Sequence, residues 1–142
     1  MIFDKLSHST YMCKYHIVFI PKYRKKKLFK DIRPWLIERF KELASQHECR
    51  IETGVGGIQP DHVHMVISIP PKYSVASVVG FIKGKSAIMI ARDFQGRQRN
   101  FAGYRFWARG YFVSTVGMDE AAIKNYVENQ EKEDIRLDKL ER

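Results

Sequence analysis

Cysteine is scarce in this chain: Cys13 and Cys49 are the two among 142 residues. Two are too few for a disulfide framework, and they lack metal-binding spacing. Both thiols therefore read as small apolar fillers in a reducing cytoplasm. Long apolar runs are missing as well. Val78 to Ile82, with Gly80 inside it, is among the longest, far short of the ~20 residues a membrane helix needs, and Asp4 and Lys5 interrupt the N-terminal stretch. Neither a membrane span nor a secretory leader is expected. No internal repeat or low-complexity tract is visible, so residues 1–142 read as one domain.

Acidic side chains are sparse until late in the chain. Before residue 119 there are 8 Asp and Glu against 20 Lys and Arg, whereas residues 119–142 hold 8 against 5. The net charge of +9 and pI near 9.6 give a field that attracts polyanions, nucleic acid first among them. The acidic end is expected to dock on the basic body. With 44% hydrophobic and 29% charged residues, the composition is that of a globular protein and excludes a disordered tail or a fibre.

Tyr11 to Ile20, aromatic and β-branched, predicts a strand that stops at Pro21 and leads into a basic arm of Lys22, Tyr23, Arg24, Lys25, Lys26 and Lys27. Asp31 is placed to cap a helix with Ile32, Leu36, Phe40, Leu43 and His47 on one face, Pro34 in its first turn and an end near Glu48. Arg50 to Val55 predicts a second strand. Gly54, Gly56, Gly57 and Pro60 then turn the chain into a third at Asp61 to Ile69. Ser74 caps a second helix to about Ala91, with Val75, Val78, Val79, Ile82 and Ile90 as its buried stripe. Gly80 and Gly84 in it imply tight packing or close approach of a ligand. After a polar loop from Gln95 to Gly103, Tyr104 to Thr115 predicts a fourth strand broken at Gly110, and a last helix starts at Asp119 or a neighbour. This order folds most simply as an α+β, ferredoxin-like (RRM-like) four-stranded antiparallel sheet with two helices on one face, followed by a C-terminal helix at about 119–134.

Alternation along the third strand separates Val63, Met65, Ile67 and Ile69 from His62, His64, Val66 and Ser68. The apolar set belongs under the helices. His62 and His64 then project together from the open face, where two imidazoles could hold one divalent cation. Taken alone, a His-x-His pair is more often a pair of surface histidines. Tyr126 and Gln130, four apart, share a helical face that can lie over the same sheet face, bringing a phenol and a carboxamide to the imidazoles. A tyrosine beside Ala122, Ile123 and Val127 can equally be core. Asp61 either orients an imidazole or ends the glycine turn, the turn being slightly favoured. His16 reads as a packed or DNA-facing residue, and His8 and His47 have no assigned partner. Tyr23 in the arm, and Tyr104, Phe106 and Trp107 beside Arg97, Arg99, Arg105 and Arg109, mix stacking surfaces with cations as single-strand grooves do.

The segments Tyr15-His-Ile-Val-Phe-Ile-Pro-Lys-Tyr-Arg24, Gln59-Pro-Asp-His-Val-His-Met-Val-Ile67, Phe81-Ile-Lys-Gly-Lys-Ser86, Trp107-Ala-Arg-Gly-Tyr-Phe112 and Tyr126-Val-Glu-Asn-Gln130 resemble the single-tyrosine transposases of the insertion-sequence 200/605 family, within the His-hydrophobic-His nucleases. The resemblance runs from about Tyr11 to Asp134. It implies a homodimer that cuts and rejoins single-stranded DNA at element ends and recognises subterminal hairpins. His62 and His64 match its metal ligands, Tyr126 its nucleophile and Gln130 its third ligand, with Mg2+ or Mn2+ as the cation. The tyrosine helix of one subunit is often set against the histidines of the other. Lys22, Tyr23, Arg24, Lys25, Lys83, Lys85, Arg105 and Arg109 are the candidate DNA contacts.

The chemistry asks for such groups. A phenol of pKa about 10 attacks an anionic phosphodiester at neutral pH only with charge neutralisation, and imidazole and carboxamide ligands leave the cation's charge intact. A covalent 5′-phosphotyrosine conserves the bond energy for rejoining. Three alternatives are a domesticated palindrome-associated relative, a non-catalytic RRM-like module and a zinc hydrolase, for which two histidines are a poor ligand set.

Overall fold

Two strands of β-branched and apolar residues pair at the centre of the molecule. The computed structural model describes residues 4–6, 9–52, 57–94, 106–115 and 119–140. In chain order the elements are β1 (Asp4–Leu6), β2 (Ser9–Tyr11), β3 (Lys14–Phe19), a 3-10 turn (Tyr23–Lys25), α1 (Lys26–Ser45), β4 (Arg50–Ile51), β5 (Gly57–Ile58), β6 (Val63–Ser68), α2 (Val75–Phe94), β7 (Phe112–Ser114) and α3 (Glu120–Leu140). The main sheet runs β4-β6-β3-β7, every neighbour antiparallel, with β5 on the β4 side of β6. The ferredoxin-like expectation holds.

One face of this sheet carries Ile17, Phe19, Val63, Met65 and Ile67 into a core with Phe29, Leu36 and Phe40 of α1 and Val78, Ile82 and Ile90 of α2. The other face is not open. Val18, Ile20 and Ala108 are covered by Ile123 and Val127 of α3, and all six residues of β6 are buried, His64 and Ser68 included. Each α3 side chain fully buried there contributes about 1.5–3 kcal/mol.

Several boundaries differ from the sequence expectation. The first strand is split: Ser9–Tyr11 turns back on Asp4–Leu6, and the central strand begins at Lys14. Helix α1 starts at Lys26, so Asp31 is interior and caps nothing. Pro34 likewise lies well inside the helix. It has no N–H to give Lys30, whose carbonyl accepts instead from Arg33 Nε at 3.1 Å. The helix stops at Ser45, three residues early, with Glu48 at φ 57°. His47 lies beyond it, against Tyr73 and Phe81.

Of the predicted second strand Arg50–Ile51 is strand and Glu52 is not, Thr53 to Val55 lying outside the described residues, and Gly57, expected in a turn, pairs with His64. Among the described residues of the predicted fourth strand, Phe112–Ser114 is strand and Trp107 makes a bridge to Pro21. Phe106 and Trp107 are buried rather than offered for stacking, the indole donating to Ser86 Oγ at 3.0 Å. Among the described residues, nothing lies within 4 Å of a methyl group built at Gly80 or Gly84, so close packing is not their reason. Of the two expected caps Ser74 is present, its Oγ accepting from the Ser77 N–H, and Asp119, expected at the start of the last helix, accepts there from the Ala122 N–H through Oδ1.

The acidic end docks where the charge split predicted. Asp134, buried on α3, accepts from the Tyr23 N–H at 2.8 Å, Glu131 pairs with Lys26 and Asp138 with Arg24. These carboxylates meet the positive end of a helix that has no acid in its own first turn. No described helix is long and apolar enough to cross a membrane.

Candidate active site

His64 lies in the middle of β6, opposite Val18 of β3, which in turn pairs with Phe112 of β7. Cross-strand partners share a face, so His64, Val18 and Phe112 form a row beneath α3. His62, one turn of the pleat earlier, shares that face. Its Nδ1 lies 2.7 Å from Asp61 Oδ1. A carboxylate only accepts, so Nδ1 carries the proton and Nε2 of the neutral ring keeps its lone pair. Asp61 therefore orients an imidazole, the reading the sequence slightly disfavoured. His64 is 3% exposed. Burial first, then the neighbouring His16 and His62, hold its pKa below the ordinary 6.5 and favour the neutral, ligand-competent ring.

The two imidazoles open onto a cavity of about 460 Å³ that also meets Gln59, Asp61 and, from α3, Glu120, Ile123, Lys124, Val127 and Glu128. Those α3 residues form one stripe. Tyr126 and Gln130 are roughly 100° round the helix axis from it. Tyr126 packs beside Phe112, ring centroids 5.9 Å apart, and Gln130 Nε2 donates to Arg109 O at 2.8 Å. Phe112 is two strands, roughly 10 Å, across the sheet from His64, and neither Tyr126 nor Gln130 lines the histidine cavity. Within one chain the expected meeting of phenol, carboxamide and imidazoles does not occur. The apolar pair Ile123 and Val127 decides which face of α3 is pressed on the sheet, and it leaves Tyr126 on the β7 side.

The phenol oxygen is enclosed there, buried without a hydrogen-bond partner among the described residues, and burial pushes the phenol's pKa up to about 12. Gly110, at φ 79°, passes close by: a methyl group built on it would stand 4.0 Å from the Tyr126 oxygen.

The expected DNA contacts separate into groups. Lys83 is drawn inward: its Nζ donates to Ala108 O and Gly110 O, both at 2.8 Å, and burial lowers its pKa to about 8. Arg24 is engaged by Asp138. Lys22 and Lys25 are half-buried, Tyr23 is 50% exposed with Lys26 over its ring, and Lys85 and Arg109 are exposed. Arg105, with Tyr104, Arg97, Arg99 and His8, lies outside the described residues.

His16 is packed, one of the two readings the sequence allowed, but its neighbour His64 was not foreseen. Its Nδ1 is 3.2 Å from His64 Nε2. The signal was present in the alternation of β3, which puts His16, Val18 and Ile20 on the face opposite Ile17 and Phe19.

A divalent cation fits the histidine pair in donor type, but only in part. Among the described residues no three His, Cys, Asp or Glu side chains converge as a ligand set. That also disfavours a zinc hydrolase.

The sheet is ferredoxin-like and carries a His-x-His pair beneath a helix that bears a half-buried tyrosine. The sequence model described as "Transposase IS200 like" matches residues 9–130. The chain is 39% identical over 129 residues to the transposase for insertion sequence element IS200 of Salmonella typhimurium, across 91% of this chain and 84% of that protein. It is 27% identical over 122 residues to the ISDra2 transposase TnpA of Deinococcus radiodurans, across 85% and 86%. A crystal structure described as that of a transposase from Deinococcus radiodurans R1 superposes with a TM-score of 0.73 at 27% identity, covering 89% of this chain and 97% of that one. The chain belongs to the IS200-like transposase family, enzymes of DNA transposition.

Proposed function

We propose that this transposase cuts and rejoins single-stranded DNA at the ends of a mobile element through a 5′-phosphotyrosine on Tyr126, and that it recognises hairpins near those ends. The observation that carries the reading is the division of the chemistry. Among the described residues a pair of imidazoles has no third His, Cys, Asp or Glu converging on it, while a phenol and a carboxamide sit on a helix whose sheet-facing stripe lines the histidine cavity without them. Two copies of the chain reconcile these facts. Tyr126 and Gln130 of one copy are presented to His62 and His64 of the other, in a homodimer with two composite sites.

In such a site His62, His64 and Gln130 would hold Mg2+ or Mn2+, which when bound would supply charge neutralisation at the scissile phosphate. Asp61 keeps the His62 lone pair directed outward. Tyr126 must leave its apolar seat to attack, since a phenol of pKa about 12 is a poor nucleophile at neutral pH. On attack its oxygen bonds to phosphorus and the DNA 3′ oxygen departs. A 3′-OH from another end reverses the step, so no outside energy source is needed. Tyr23, Lys85 and Arg109 supply exposed stacking and charge for the strand, with Lys22 and Lys25 behind them.

The test is incubation of the protein with a single-stranded element end and Mg2+, followed by analysis of the 5′ terminus. A tyrosine-linked 5′ phosphate at Tyr126 supports the reading. Cleavage with a free 5′ phosphate overturns it.

A further inference from the structure

We infer that His16 is a positioning residue for His64, the counterpart of Asp61 for His62. The inference rests on the metal-site reading above. His16 and His64 are diagonal neighbours on the two central strands: His16 pairs with Val66, and His64 with Val18. Their side chains share a face, ring centroids 5.4 Å apart and planes tilted by 41°. The contact between His16 Nδ1 and His64 Nε2, at 3.2 Å, joins two nitrogens of which one must donate and the other accept. The proton on one ring thereby dictates which nitrogen of the other holds a lone pair.

His64 needs such a partner. It is buried, and among the described residues no carboxylate is hydrogen-bonded to it, in contrast to His62 with Asp61 at 2.7 Å. Packing alone leaves an imidazole free to exchange tautomers or turn over about its Cβ–Cγ bond. A hydrogen bond to a neighbouring strand restrains the turnover, and with His64 Nε2–H donating to His16 Nδ1 it leaves the lone pair of His64 on Nδ1, free for a ligand; imidazole ligands to metals are generally fixed by an outer partner of this kind. Strand β3 is well suited to the task. Its ladder with β6 runs from Lys14↔Ser68 to Phe19↔Val63 without interruption, so the separation of the two backbones is set by six paired positions. His16 does not touch the DNA or the cation in this role; it acts through His64.

The test compares wild type, His16→Ala and His16→Asn, the last keeping an amide near the position of Nδ1. Long-range 1H–15N spectra of the full chain read the His64 tautomer directly, and calorimetry with Mn2+ alone reads affinity. One His64 tautomer in wild type, a mixture in His16→Ala with about tenfold weaker Mn2+ binding, and recovery of both in His16→Asn are expected. Thermal unfolding shows whether each variant retains its fold, and the Asn variant decides if the Ala variant does not. An unchanged tautomer and unchanged Mn2+ affinity in His16→Ala overturn the role of His16 alone. Wild-type protein that binds no Mn2+ overturns the metal reading from which that role follows.

Discussion

Strand β6 and helix α3 carry the two halves of the proposed chemistry, and they are held by different forces. Strand β6 is hydrogen-bonded along both edges and buried at all six positions, so His64 cannot move without opening the sheet. Helix α3 has three buried residues in twenty-one, Ile123, Val127 and Asp134. The rest of its attachment is polar: Gln130 to Arg109 O, Glu131 to Lys26, Asp134 to the Tyr23 N–H and Asp138 to Arg24. Local opening costs least where few apolar contacts are lost. The histidines are therefore the fixed part of the site, and the tyrosine helix is the part that can be repositioned.

The largest expected effect separates nucleophile from scaffold. Tyr126→Phe should abolish covalent protein–DNA adducts, a loss on the order of 10³-fold or more, while hairpin affinity stays within about twofold of wild type because no fixed group is touched. Adducts that persist on denaturing gels would name another nucleophile. Next, His64→Ala or removal of divalent metal by EDTA should reduce cleavage by at least about 10²-fold. Undiminished cleavage in EDTA removes the cation from the mechanism.

Mixing the two variants then tests which copy supplies each half. If sites are shared, random re-pairing of Tyr126→Phe with His64→Ala chains restores roughly a quarter of wild-type sites, whereas sites within one chain restore none.

Smaller effects concern the docking of α3. Asp134→Ala leaves the Tyr23 N–H without its charged partner and should cost about 1–3 kcal/mol in denaturant unfolding. No change in the unfolding midpoint would show that Ile123 and Val127 hold the helix without it. The smallest effect is a pH slope. Lys83 has a folded pKa of about 8 against an ordinary 10.5, so the unfolded chain binds the extra proton between these values and stability rises with pH across that window. Lys83→Met should flatten the slope most clearly between pH 8 and 9, below the range in which Cys49, raised from 9.0 to about 11 by burial, contributes with the opposite sign.

Much of the fold was legible because period and punctuation are local. The alternation of Val63 to Ile69, the Ser74 and Asp119 caps and the apolar stripe of α2 each follow from neighbours within a few residues. The misplaced start of α1 has the opposite origin. Lys26 and Lys27 make a poor first turn by local rules, and the carboxylates that offset them, Glu131 and Asp134, come from more than a hundred residues away. Phe106 and Trp107 looked like a stacking surface beside arginines, yet they are buried against Phe19 and Ser86 of distant elements.

Unaided, the chain's order of residues determined the element sequence, the face of β6 that bears the histidines, the charge attraction between the two ends and the candidate groups themselves, because each depends on spacing or composition. Tertiary structure alone decided that Tyr126 and Gln130 stand apart from His62 and His64 within one chain. The physical reason is that Ile123 and Val127 gain more by covering Val18 and Ile20 than a phenol gains near an imidazole pair. That preference settles the rotation of α3 only once the sheet exists to receive it.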